Sequence, residues 1–211
     1  MILFEWIERV CGCASPSRQR QAFGLSELQP YGGSEIRENW GVNANCYAYA
    51  MNDRKPANAI GGAIPGGASG NVASLSATGD YLDKLVSGAI EDGLLHVEGS
   101  PECPPDDVSG TYLVALIASE VGFHWLRREP DLKRWSWKDG NSGQVRLNIF
   151  NVAEKRFVYI DDANLAELLS NGGNFTPWLY SQMRFLSFFR VPASGISVAG
   201  APNNSRTPAA D

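Results

Sequence analysis

The sequence predicts an α+β domain, with helices first and a run of mostly antiparallel strands after them. Three observations predict it. Residues 43–52 and 79–93 read as helices, and residues 111–160 hold β-branched, apolar runs separated by turns. One further helix signal is inserted before a closing aromatic strand, an order typical of α+β folds.

The first helix is a short one, in Asn43-Ala-Asn45-Cys46-Tyr-Ala-Tyr-Ala-Met-Asn52. Asn45 is a natural N-cap, because its side-chain oxygen accepts a backbone N–H that the first turn leaves unbonded. Arg54-Lys55-Pro56 ends regular structure. The glycine-rich residues 59–71 lack a following Gly-Lys-Ser/Thr, so they read as a surface loop beside a cleft rather than a phosphate loop. In residues 79–93, Leu82, Leu85, Val86 and Ile90 share one helical face, and Gly93 stops the helix.

Strands follow at 111–118, 122–128, 133–138, 144–149 and 156–160, with turns at Glu129-Pro-Asp131 and Asp139-Gly140-Asn-Ser-Gly143. Asp161 or Asp162 caps a helix running to Leu169, and residues 179–191 alternate as a last strand. Three segments result: 1–38, an amphipathic N-terminal helix and flexible arm; 39–192, the folded domain; and 193–211, a disordered tail.

Composition narrows the function. With 211 residues, 44% hydrophobic and 19% charged, the chain can bury a core of its own. A net charge of −5 with no clustered basic face argues against nucleic acid as a partner. Four cysteines and two histidines fit no zinc spacing, so neither a metal nor an organic cofactor is expected. So few cysteines also point to a reducing compartment. Residues 1–10 carry Glu5 and Glu8, lack a basic leader and are too short to span a membrane. Synthesis in the cytoplasm is therefore expected, with any export or packaging by a route other than a signal peptide. The N-terminal helix is a surface for a protein partner. Cys11 and Cys13 behind it are open to acylation.

The chemistry centres on a thiol. A cysteine on the first turn of a helix ionises more readily, and the thiolate is the reactive form. Cysteine hydrolysis also needs an imidazole, oxyanion donors and a polar group to orient the ring. Cys46 with His124 pairs a helix-end thiol with a strand imidazole. Cys103 with His96 is the rival, in a proline-rich stretch. A free cysteine can equally be a small buried residue, and His124 a core histidine. Asp106-Asp107 and Asp161-Asp162 read as caps or turns, and Trp125, Trp135 and Trp137 as core aromatics that can also stack on a ligand.

Asn45-Cys46-Tyr47-Ala48-Tyr49-Ala50, then Pro65-Gly66-x-x-Ser69-Gly70, Phe123-His124-Trp125-x-Arg127 and Trp135-Ser136-x-Lys138-x-Gly140 together resemble a known group. They are similar to papain-like cysteine hydrolases whose wider relatives are the NlpC-type peptidases and amidases. The resemblance covers about residues 39–191. It implies a papain-like fold, with N-terminal helices packed on a mostly antiparallel sheet of about five strands. It implies Cys46 as nucleophile, His124 as general base and acid, and the Cys46 N–H as an oxyanion donor. The substrate it implies is an amide bond in a peptidoglycan stem peptide or a protein, cleaved through a thioester. Where the similar proteins carry a histidine in the hairpin arm, this chain has Trp137, whose indole cannot accept the imidazole N–H. Asn148 is the candidate orienting residue, with Ser136 or no third residue as alternatives. The departure at Trp137 equally fits a catalytically degenerate module with a binding or structural role, in a phage particle or as a delivered effector. Transfer to an acceptor other than water is compatible with the same dyad.

Overall fold

The computed structural model describes residues 36–40, 44–57, 62–72, 80–120, 122–129, 132–138, 140, 144–151, 154–170 and 183–200. The N-terminal helix, Cys11, Cys13 and the tail from 201 onward lie outside the described residues. In chain order the elements are β1 (Ile36–Asn39), α1 (Cys46–Ala50), α2 (Tyr81–Glu91), β2 (Leu95–Val97), β3 (Thr111–Ser119) and β4 (Gly122–Glu129). They continue with β5 (Arg134–Lys138), β6 (Gln144–Arg146), β7 (Asn148–Asn151), β8 (Arg156–Asp161), α3 (Leu165–Ser170) and β9 (Arg184–Pro192).

The architecture corrects the papain-like expectation. The chain is mostly one antiparallel sheet in the order β1-β6-β5-β4-β3-β9-β2, with β8 joined to β5 and β7 to β8. Among the described residues the helices are few; α1 has five residues and α3 six. A stack of N-terminal helices on about five strands is therefore not what the described residues form. The added strands are three or four residues long and sit largely at the margins: β1 on β6, β2 on β9, and β7 on β8. Such short strands show no period of their own, and pairing with a longer neighbour creates them. Residues 144–149 break at Leu147, so β6 pairs with β5 and β1 while β7 turns to β8.

Residue alternation along β3, β4 and β5 divides the core in two. Tyr112, Val114, Leu116 and Ala118 of β3, with Trp125 of β4, pack against α1 and α2. Leu113, Ala115, Ile117, Leu126, Trp135 and Trp137 line the opposite face with Phe188 and α3. Two glycines permit close approaches near α1. A Cβ on Gly88 of α2 would lie 2.7 Å from the Pro65 carbonyl carbon, so the 65–70 turn rests directly on the helix. Gly62, at φ +94°, would place its Cβ 2.7 Å from Asn45 Nδ2. Residues 193–200 bond back to the domain, with Ile196 N–H donating to Met51 O and Val198 N–H to Asp53 Oδ2. The folded unit therefore extends past residue 192. No described helix is long and apolar enough to cross a membrane.

Candidate functional site

Asn45 caps α1 as its residue type predicts. Its Oδ1 accepts the Ala48 N–H at 3.1 Å, and its Nδ2 donates to Ala63 O at 2.7 Å, tying the cap to the glycine loop. Every residue of α1 is buried, because the helix is pressed against β4 and β5 on all but its loop-covered side. Tyr47 packs on Trp125 with ring centroids 5.1 Å apart, and its hydroxyl donates to Asp92 Oδ2 at 2.8 Å. Tyr49 sits edge-on to Trp40. Its hydroxyl lies 2.9 Å from Glu129 Oε1 and 2.6 Å from Ser136 Oγ, and the Ser136 hydroxyl is 2.5 Å from the same carboxylate oxygen. Arg127 stands 3.7 Å from Glu129 and covers the Tyr112 ring. This polar cluster fixes α1 on the sheet from below.

Cys46 is the free cysteine among the described residues, whereas Cys103 is disulfide-bonded. The rival pair is therefore not assembled, and His96 lies exposed on β2 with its ring edge-on to Phe189. The Cys46 sulfur faces the backbone of β4. Burial pushes its thiol up to about 12, opposed by the N–H of Trp125, the N–H of Tyr47, the Lys138 ammonium and its own N–H.

The strand geometry explains why the Trp125 N–H is available. Glu129 O accepts from Leu132 and Lys133, and Arg127 O from Ser136 Oγ. The odd residues of β4 thus turn their backbone groups toward β5. The β4–β5 ladder, however, has Leu126↔Trp137 as its last pair. Continuing that register would set Trp125 against Lys138, which on its other edge pairs with Val145 of β6, but no such pair forms between β4 and β5. The Cys46 sulfur occupies the position a ladder acceptor would take.

His124 is buried and adjoins this opening. It stands opposite Ile117 and, by alternation, on the face away from Trp125, with its ring edge-on to Trp137 at 5.7 Å. Thiol and imidazole thus approach the end of the ladder from different faces, not across a groove on a single face. Burial, helped by the Lys138 charge, lowers the imidazole to about 3, so the resting pair is neutral.

Asn148 opens β7 and is buried; its backbone carbonyl accepts the Trp137 indole N–H at 3.1 Å. Trp137 thus touches both the His124 ring and the Asn148 backbone. Ser136 alternates to the α1 side, in the Tyr49–Glu129 cluster, and is not brought to the His124 face. Sequence reading placed Lys138 in the Trp135-Ser136-x-Lys138-x-Gly140 motif without a role of its own; it is fully buried and donates from Nζ to Gly140 O at 2.7 Å. Sequence reading overlooked Tyr81, raised to about 12 by burial and by the neighbouring Cys46. Among the described residues no three His, Cys, Asp or Glu side chains are grouped to hold a metal.

No family model, curated protein or solved structure matches the chain.

Proposed function

We propose that this chain is a thiol-dependent hydrolase that cleaves an amide bond through a thioester on Cys46. The observation that carries the reading is the sulfur held at the open end of the β4–β5 ladder. Three backbone N–H groups and a buried ammonium favour its anion there. A structural thiol needs no such donors, since S–H is a weak hydrogen-bonding group that packs as a small apolar residue.

In this reading the thiol proton passes to His124 around the open end of the ladder, since the two side chains lie on opposite faces of β4. The sulfur then attacks the substrate carbonyl carbon, and the carbonyl oxygen collects negative charge stabilised by a backbone N–H such as that of Cys46. The imidazolium returns its proton to the departing amine, leaving an acyl thioester. A water molecule, deprotonated by His124, attacks that thioester, and the sulfur leaves as the free thiol once reprotonated. Peptidoglycan stem peptides are the substrate class suggested by the resemblance to NlpC-type enzymes, and a protein amide is the other. The resting neutrality of both groups means that ionisation accompanies substrate entry.

The test pairs labelling with product analysis. Iodoacetamide should modify folded Cys46, and incubation with stem peptides or a peptide library should release amine products and leave a thioester that hydroxylamine traps. Cys46→Ala should abolish both label and products, a loss on the order of 10³-fold or more. Intact substrates together with labelling no faster than in the unfolded chain would overturn the proposal.

A second reading, a non-hydrolytic binding or structural module, is favoured by one specific feature. The His124 ring rests against Trp137, which offers the imidazole no acceptor. Full biological effect from Cys46→Ala would select that reading.

A further inference from the structure

We infer that Asp92 latches a gate over the N-terminal end of α1, and that opening of this gate is how the Cys46 thiol is reached. The inference rests on the hydrolase reading for its purpose, but it concerns access to the sulfur and needs no substrate. With the gate closed, Cys46 is only 5% exposed. Its sulfur faces the backbone of β4, so that strand closes the sheet side. Entry is left to the cap end of the helix, where the turn at 62–67 lies on Asn45.

Both chain neighbours of Cys46 are hooked into one hydrogen-bonded circuit. Asn45, just before it, donates from Nδ2 to Ala63 O at 2.7 Å. Tyr47, just after it, donates from its hydroxyl to Asp92 Oδ2 at 2.8 Å. The same oxygen accepts the Gly66 N–H, also at 2.8 Å. The circuit therefore runs from Asn45 through Ala63–Gly66 and Asp92 to Tyr47, and Cys46 is the residue between its two hooks. Gly62, Ala63 and residues 65–67 are buried, whereas residues 68–71 are exposed. One carboxylate oxygen thus fixes the helix and the buried limb of the turn to each other.

Asp92 is the link most readily given up. It is the C-cap of α2, where a carboxylate meets the negative end of the helix and is disfavoured. Burial raises its carboxyl above the ordinary value, opposed by the Tyr47 hydroxyl and the N–H groups of Gly66 and Ala68. When those donors leave, water takes their place, which offsets part of the cost of opening. The turn belongs to no described helix or strand, and such segments open at lower cost than the whole fold. Gly62 and Gly66, at φ +94° and +80°, give residues 63–65 a hinge on either side. Ile64 N–H, which donates to Ala199 O at 3.0 Å, keeps a tether on the C-terminal segment when the latch releases. The exposed limb is tied separately, by Ser69 and Asn71 to the Glu91 carboxylate.

The experiment follows iodoacetamide alkylation of Cys46 in the full chain, read by mass spectrometry of the Cys46 peptide, at fixed pH and in urea below the unfolding transition. Alkylation through a local gate is nearly flat in urea, because opening exposes little surface, whereas alkylation through global unfolding climbs steeply. Wild type should be nearly flat. Asp92→Ala, which removes both bonds to Oδ2, should react about tenfold faster or more without urea and stay nearly flat. Asp92→Asn, which keeps an acceptor oxygen, should remain within about threefold of wild type. Asn45→Ser, which keeps a capping oxygen but loses the amide donor to Ala63 O, should also react faster. Tyr49→Phe loosens α1 outside the circuit and should leave the rate within about twofold. A folded Asp92→Ala protein with the wild-type rate overturns the latch. An equal rise in Tyr49→Phe does so too, because general loosening would then explain both. Wild-type alkylation that climbs with urea at the slope of global unfolding overturns the gate, even if Asp92→Ala fails to fold. No turnover is measured, so intact peptide substrates would remove the hydrolase reading and leave this result standing.

Discussion

The two ends of the β4–β5 pair are built on opposite principles. At the turn end the backbones are laddered from Leu126↔Trp137 to Glu129↔Arg134, and a buried carboxylate gathers the hydroxyls of Tyr49 and Ser136. At the other end the ladder stops, and a backbone N–H that would have met a carbonyl meets a sulfur. The closed end holds α1 by its last turn. The open end leaves the first turn of the same helix beside the Trp125 backbone, where the Lys138 charge is also felt. The polar clamp and the thiol are thus separated along one short helix, with Tyr49 at one end and Cys46 at the other.

This contrast can be broken at its closed end first. Glu129→Ala would leave two buried hydroxyls without their carboxylate and Arg127 without its counter-charge. It should cost about 3 kcal/mol in urea unfolding, the range expected when one member of a buried charged cluster is removed. If the clamp also sets the thiol, folded Glu129→Ala should show altered Cys46 alkylation, whereas unchanged alkylation would make the two ends independent.

Tyr49→Phe is the milder version. It removes a hydroxyl shared between Glu129 and Ser136 while keeping the ring against Trp40, and should cost about 1–2 kcal/mol. A loss below about 0.5 kcal/mol would mean that Ser136 and Glu129 satisfy each other without it.

The smallest effect near neutral pH lies at the open end and appears only toward either extreme. The Cys46 thiol is raised from 9.0 to about 12, so the unfolded chain ionises first as pH rises. Its contribution to stability is complete below about 9 and is lost as pH climbs toward 12. The His124 imidazole is lowered from 6.5 to about 3, so the unfolded chain protonates first as pH falls. Its contribution is complete above 6.5 and is lost on the way down to about 3. Urea unfolding should therefore show a plateau between these limits. Cys46→Ser should shorten the fall on the alkaline side, where Tyr81 also contributes. His124→Gln should shorten the acid one. Limbs unchanged by either substitution would remove the dyad from the account of stability.

Much of the chain declares itself locally. The cap at Asn45 is visible because an asparagine before a short helix has one good use for its oxygen, and that bond forms to Ala48 N–H. The α2 stripe and the β3, β4, β5, β8 and β9 runs carry their own periods or continuous apolar content, and each appears close to its expected place. What the sequence could not carry was anything depending on a distant partner. Three- and four-residue strands such as β2 and β1 have no pattern until a longer strand offers its edge, and they turned an expected five-strand α+β arrangement into a broad antiparallel sheet. The split at Leu147 likewise depends on distant partners, since β6 pairs with β5 and β7 with β8. The site follows the same division. Cys46 and His124 were readable as chemical types in motifs. The face on which the ring lies, the diversion of Ser136 to Tyr49, and the burial of Lys138 beside the ladder gap were decided by register alone. A shift of one residue reverses every side chain on a strand, and only the packed sheet fixes that register.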